Sequence, residues 1–201
     1  MNEKVCLFDM DGTLAGYAQQ LALEFNLIKH PSEKHYTFED FGQHGKAEAF
    51  FENRRHYISE HGSFWEKLPP LEDGFEIFEM CKQIGFRPMV LTQGPSSKPE
   101  AWSHKIKWCQ KYLPNVDVTI TRDKGLVYGR VLVDDWPDYA IRWLQHRPRG
   151  LVIMPARPWN QNISHPNILR VDALNFNEAQ NLRNALKEAF NRESGESIEK
   201  E

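Results

Sequence analysis

Residues 5–16 read VCLFDMDGTLAG, a run of strand-forming apolar side chains that ends in two aspartates separated by one methionine. A buried strand gains nothing by packing Asp9 and Asp11, so the two carboxylates belong where the strand emerges, at an edge that something else requires. Alternate positions on a strand point the same way, which puts the carboxylates together and sends Met10 elsewhere. The DGT that follows is turn chemistry.

The same form, a short apolar run closed by polar turn residues, recurs at RPMVLTQGP (87–95), VDVTITRD (116–123), GRVLVDD (129–135) and RGLVIMP (149–155). These Val-, Ile- and Leu-rich runs predict strands buried on both faces. Between them LEDGFEIFEMCKQIG (71–85), KPEAWSHKIKWCQKYL (98–113), PDYAIRWLQH (137–146) and NEAQNLRNALKEAF (177–190) carry helical periodicity, with Pro99 opening one helix and Gly85 closing another. Strands alternating with helices predict an α/β fold with a mostly parallel sheet flanked by helices.

One section breaks the alternation. Residues 16–72 hold no convincing strand and predict a small helical cap inserted after the first strand, between core segments 1–15 and 73–190. Its many aromatic residues are expected mainly to form the cap's own core. Residues 191–201, polar and poor in apolar side chains, are expected to be a disordered tail.

The chain of 201 residues suits one core plus an insertion, and its 40% hydrophobic and 26% charged residues are ordinary for a soluble protein. No stretch approaches the roughly 20 apolar residues of a membrane span, and the first residues lack the layout of a secretory signal. Cys6, Cys81 and Cys109 are widely spaced and odd in number, which suits reduced thiols in the core and a cytoplasmic location. A formal net charge of -3 disfavours binding along extended nucleic acid, although ENRRH (52–56) and QHRPRG (145–150) are locally basic. Small anionic substrates remain open, as does a homodimer.

In an open parallel sheet, ligands bind beyond the carboxyl ends of the strands, so the residues that follow each strand share one site. Here those are Asp9 and Asp11; Thr92, Gln93 and Gly94; Arg122, Asp123 and Lys124; and Asp134 and Asp135. Taken singly, each has an ordinary reading as a turn former, helix cap or surface lysine; jointly they do not. Crowded carboxylates raise one another's pKa unless a cation compensates, and magnesium, which shares its oxygen shell with phosphate, suits best. Thr92 and a lysine then bind the phosphate oxygens, and one aspartate remains as nucleophile.

These residues carry a resemblance. DMDGT, LTQGP, RDK and VDD are similar to the four motifs of the haloacid dehalogenase (HAD) superfamily. The resemblance implies a Rossmannoid core in which Asp9 is the nucleophile and Asp11 the acid–base, with Thr92 and Lys124 as catalytic partners. It also implies Mg2+ held by Asp9, the main-chain carbonyl of Asp11, and Asp134 or Asp135. From about residue 5 to about 145 the chain resembles, more narrowly, the 5'(3')-deoxyribonucleotidases of bacterial or phage type, in TRDK, LVDDWPD, AWSHKIKWCQKYL and FWEKLPPLEDG. That implies a magnesium-dependent phosphomonoesterase acting on (deoxy)nucleoside monophosphates through an aspartyl-phosphate. Lys105, Gln93, Gly94 and Arg122 are then expected near the phosphate, and Tyr17, Phe41, Phe64 and Trp65 are the aromatic candidates for the base. Gln93 stands where the family usually has serine, Gly16 where it has an acidic residue, and residues 25–60 do not align, so base and sugar preference are not legible. The competing readings are a phosphatase for a nucleic acid 3'-phosphate end or a small sugar phosphate, and a non-catalytic binding protein. MPARPWNQN (154–162) resembles the bacterial and phage relatives more than the animal ones; a surface loop is the favoured reading for its Trp159 and Asn160, with a place lining the site as the alternative.

Overall fold

The computed structural model describes residues 3–41, 49–60, 63–96 and 98–193. Strand β1 (Val5–Phe8) lies inside a six-stranded sheet, followed in sequence by β2 (Arg87–Thr92), β3 (Val118–Ile120), β4 (Val131–Val133), β5 (Leu151–Pro155) and β6 (Ile168–Val171). The spatial order is β3-β2-β1-β4-β5-β6, and every pairing is parallel. The chain thus winds outward from β1 in one direction through β2 and β3, then returns to the other side of β1 to place β4. The crevice between the ends of β1 and β4 is the switch point at which doubly wound sheets bind ligands.

Both faces are covered, which explains the unbroken apolar runs. Cys6 and Phe8 face α3 (Glu72–Ile84), α4 (Pro99–Tyr112) and α6 (Phe176–Asn191), whose Phe78, Trp108 and Leu182 belong to the same core. Leu7 points the other way, to α5 (Pro137–His146), with Trp143 and Leu144. Helix α3 stops at Gly85, whose φ of +108° suits glycine and whose N–H caps the carbonyls of Cys81 and Lys82.

The alternation predicted five strands; β6 is an addition. Arg170 interrupts the short run ILRV, and the strand sits at the sheet edge with only its last residue, Val171, buried, so its apolar signal is weak.

Residues 16–72 contribute α1 (Tyr17–Ile28), α2 (Ala49–Glu60) and short 3-10 turns at Phe38–Phe41 and Phe64–Glu66. The chain leaves and re-enters the core through one neck, where Ala15 bridges Pro70 and the Gly16 N–H donates to the Pro69 carbonyl at 2.7 Å. Phe25, Phe41 and Phe51 form an aromatic triangle with ring centroids 4.7 to 5.2 Å apart. Arg54 reinforces it from α2, lying over the Phe25 ring and pairing with Glu33 at 2.6 Å. Of the expected tail, residues 194–201 lie outside the described set. No helix among the described residues is long and apolar enough to cross a membrane.

Candidate active site

Backbone pairing delivers the first carboxylates. The Asp9 N–H donates to the Val133 carbonyl at 2.8 Å, extending the β1–β4 ladder by one residue, and the Asp134 N–H donates to the Ile153 carbonyl at 3.1 Å. Carboxylate oxygens of Asp9, Asp134 and Asp135, all buried, consequently lie within 4.8 Å of one another. Lys124 enters from a 3-10 turn capped by Asp123, which Arg142 holds in turn. Its Nζ stands 2.7 Å from Asp9 Oδ1 and 2.7 Å from Asp134 Oδ2.

Burial pulls the Lys124 pKa down, but Asp134 and Asp9 more than reverse this and keep it an ammonium. Burial pushes Asp134 up to about 6, with Lys124 opposing and Asp9 adding to the rise. Asp135 is pushed up to about 8, by burial and then by Asp9 and Asp134. Within this cluster one ammonium faces three carboxylates, so the set remains short of positive charge. An all-oxygen donor set with that deficit fits a hard divalent cation.

Asp135 is held by donors that orient it. Thr13 Oγ1 donates to its Oδ1 at 3.1 Å and Trp159 Nε1 to its Oδ2 at 2.8 Å. Gly12, at φ +78°, passes so close that a Cβ would lie 2.4 Å from Asp135 Oδ2, so the turn after Asp11 admits no side chain there. Arg157 fixes the same turn by donating to the Gly12 carbonyl at 2.9 Å while it pairs with Asp73.

Asp11 stands apart from the three-carboxylate group. Its Oδ2 pairs with Lys105, while its Oδ1 is buried with no partner. Burial raises its pKa, Lys105 opposes, and Asp9 adds to the rise. The Lys105 ammonium, fully buried, also donates to Thr92 Oγ1 at 3.1 Å and to the Gln93 carbonyl at 2.7 Å, joining Asp11 to the end of β2.

A cavity of about 320 Å³ opens over these groups. Asp9, Asp11, Lys124 and Asp135 form its floor; Gln93, Gly94 and Arg122 are on its wall; and Tyr17, Phe41 and Trp65 reach it from the cap. Tyr17 and Trp65 stack with centroids 5.2 Å apart. Lys105 lies behind that lining, with its Nζ 4.5 Å from the Trp65 ring centroid. Phe64 is buried edge-on against Tyr17 and belongs to the cap core.

Several residues were given the wrong weight by the sequence reading or were absent from it. Trp159 lines the cavity and Asn160 is buried beneath Asp135, donating to its carbonyl at 2.9 Å, so the surface-loop expectation is corrected for both. The ordinary turn composition of ARPWNQ hid the contact, which exists only because β5 ends next to β4. Arg55 and Ser59, from the cap, and Tyr139, whose ring centroid lies 4.6 Å from Lys124 Nζ, also line the cavity. Proline at the first turn of α5 made its helical start legible, but not which face of the helix meets the site.

A family model described as "5' nucleotidase, deoxy (Pyrimidine), cytosolic type C protein" matches residues 3–187. No curated protein sequence matches significantly. Among solved structures, a HAD family hydrolase from Deinococcus radiodurans R1, with bound phosphate and sodium, aligns at a TM-score of 0.56 and 13% identity, over 94% of this chain and 96% of that one. A putative haloacid dehalogenase-like hydrolase from Burkholderia xenovorans LB400 aligns at 0.50 and 15% identity, over 86% and 93%. The shared architecture is the α/β HAD fold.

Proposed function

The chain belongs to the cytosolic type C deoxy (pyrimidine) 5'-nucleotidase family and is a phosphoric monoester hydrolase of the HAD fold; from that premise we propose that it hydrolyses (deoxy)nucleoside monophosphates through an aspartyl-phosphate on Asp9. The observation that carries this reading is the convergence of Asp9, Asp134, Asp135 and Lys124 beneath a cavity roofed by Tyr17 and Trp65. Its volume, about 320 Å³, sits at the small end of ligand sites, which run to roughly 1,000 Å³, and accommodates a small ligand.

In this mechanism Asp9 attacks phosphorus and forms the P–O bond as the bond to the sugar oxygen breaks. Lys124, bridging Asp9 and Asp134, holds the nucleophile in place. Asp11, whose buried Oδ1 is free of partners and whose pKa is raised, gives its proton to the departing sugar hydroxyl. Ionised by that step and steadied by Lys105, it then takes a proton from the water that hydrolyses the aspartyl-phosphate. Thr92, buried behind the cavity lining, anchors Lys105, and the N–H groups after it, with Arg122 beside them, position the phosphoryl oxygens, which is the larger part of such catalysis. Asp9, Asp134 and Asp135, with the main-chain carbonyl of Asp11, would hold Mg2+, which supplies positive charge at those oxygens. The Tyr17–Trp65 stack offers the base an aromatic face.

A phosphate-release panel over ribo- and deoxyribonucleoside 5'- and 3'-monophosphates and sugar phosphates, with Mg2+ and with Asp9→Asn as blank, tests the proposal. Turnover of nucleotides by the wild type alone is expected. Activity confined to sugar phosphates, or undiminished in Asp9→Asn, overturns it.

A further inference from the structure

A second cavity, about 240 Å³, opens at the opposite end of the sheet, where β4 begins and α5 and α6 end. Arg130, Arg147, Arg149 and Arg192 line it, two of them from the basic stretch QHRPRG. Arg54, Arg87, Arg142 and Arg157 each pair with a carboxylate elsewhere. Among the described residues no such ion pair forms at any of the four arginines of this cavity.

Their hydrogen bonds go to main-chain carbonyls instead. Arg130 donates to Ala189 at 3.3 Å, to Phe190 at 3.1 Å and to Arg192; Arg147 donates to Gly125 and His146 at 3.2 Å; Arg149 donates to Glu193 at 3.0 Å. Capping two helix ends accounts for part of this, since each end carries about half a negative charge. With Glu193 on the rim, and Glu188 acting on Arg192 from outside the lining, the opposing charge comes to about two to three units against four arginines, which leaves a surplus of about one to two positive charges. Two further observations agree. Arg147 Nε is buried with no hydrogen-bond partner, and burial together with Arg149 and Arg130 depresses the Arg192 pKa, which Glu188 and Tyr128 offset only in part. Beside them Tyr128 is 62% exposed, with its ring centroid 5.7 Å from the Arg147 guanidinium carbon.

We propose that this cavity binds a nucleoside polyphosphate, its phosphates held by Arg130, Arg149 and Arg192 and its base on Tyr128. Arginine's planar fork matches phosphate oxygens, two or more linked phosphates match the charge surplus, and an exposed aromatic ring beside guanidinium groups gives a base a stacking face. The site is separate from the carboxylate cluster, so its failure leaves the proposed function standing.

Titration calorimetry of the full chain in EDTA, with ATP and with pyrophosphate as probes, tests this, and Asp9→Asn under the same conditions reports any binding at the carboxylate cluster. One site is expected for each probe. Arg149→Gln/Arg192→Gln, which leaves the carbonyl-bound Arg130 and Arg147 in place, should weaken both by roughly tenfold or more while nucleotide turnover is unchanged. Tyr128→Ala should weaken ATP and spare pyrophosphate. Absence of binding to the wild type, equal affinity in the double variant, or equal effects of Tyr128→Ala on both probes overturns the proposal. Glu196, Glu199 and Glu201 follow in sequence and make the chain itself the rival occupant. ATP binding that appears only when all three are glutamine overturns it in favour of that occupant.

Discussion

The Lys124 ammonium lies 2.7 Å from Asp9 Oδ1, in a position 2% exposed, and the same nitrogen reaches Asp134. Removing one partner from a buried ionic cluster leaves the others uncompensated, at a cost of about 3–5 kcal/mol. Lys124→Met is therefore expected to lose stability of that order in EDTA, measured by urea unfolding. Its kcat on the best nucleotide should fall by roughly 10²–10³-fold, the usual effect of deleting a charge-stabilising donor. A variant with near-normal kcat would take Lys124 out of the mechanism.

Chelation should act on the same cluster. Asp9, Asp134 and Asp135 place their oxygens within 4.8 Å of one another, so a cation that binds only the folded chain stabilises it by mass action. Mg2+ at a hundredfold excess over its dissociation constant is worth about 2.7 kcal/mol, visible as a raised Tm on adding the metal to EDTA-treated protein. Asp135→Asn should lose most of that increment. An unchanged increment would exclude Asp135 from the ligand set.

Trp159→Phe tests the support beneath that ligand. Phenylalanine keeps the ring but removes the Nε1–H that donates to Asp135 Oδ2 at 2.8 Å. Loss of such an orienting donor typically weakens metal binding by about 10–100-fold. The metal concentration giving half-maximal activity should rise accordingly, with Tm in EDTA nearly unchanged; a fall in Tm with no change in metal dependence would make Trp159 a packing residue only.

What was legible in the sequence, and what was not, divides along physical lines. Asp9 and Asp134 directly follow β1 and β4, Thr92 is the last residue of β2, and Lys124 opens the turn after β3, so strand order brings them together, and the apolar runs announced the strands. Arg157, Trp159 and Asn160 act through contacts that the sheet's spatial order creates, and their local sequence is that of any turn. Arg55 and Ser59 reach the cavity from the cap, where the aligned motifs run out and helical periodicity does not say which face looks down.

Tyr17 stacks on Trp65 at 5.2 Å and lines the cavity, so Tyr17→Ala should act on binding rather than on the chemical step. Stacking on an aromatic side chain is worth about 1–3 kcal/mol per base, which corresponds to a KM raised roughly 5- to 150-fold with kcat nearly constant. Steady-state kinetics on one purine and one pyrimidine nucleotide check it. A drop in kcat at unchanged KM would place Tyr17 in cap closure instead of base contact.

The cap carries its own acid sensitivity. Glu33 accepts from both terminal nitrogens of Arg54, at 2.6 and 3.1 Å, and also from the His30 N–H and the Tyr36 hydroxyl. The Arg54 contact first, and then the His30 N–H, hold its carboxyl down at about 2 against an ordinary value of 4.5. A carboxyl whose folded pKa lies below its unfolded one contributes stability above the unfolded value, and that contribution is lost as the pH falls toward the folded one. The difference in urea midpoint between wild type and Glu33→Gln should be constant above about pH 5, shrink from about pH 4.5 downward and vanish near pH 2. Because Arg54 lies over the Phe25 ring, wild-type KM should rise over the same interval as the aromatic triangle loosens. A midpoint difference that stays constant through pH 4.5 to 2 would show that the Glu33–Arg54 pair does not couple the cap to pH.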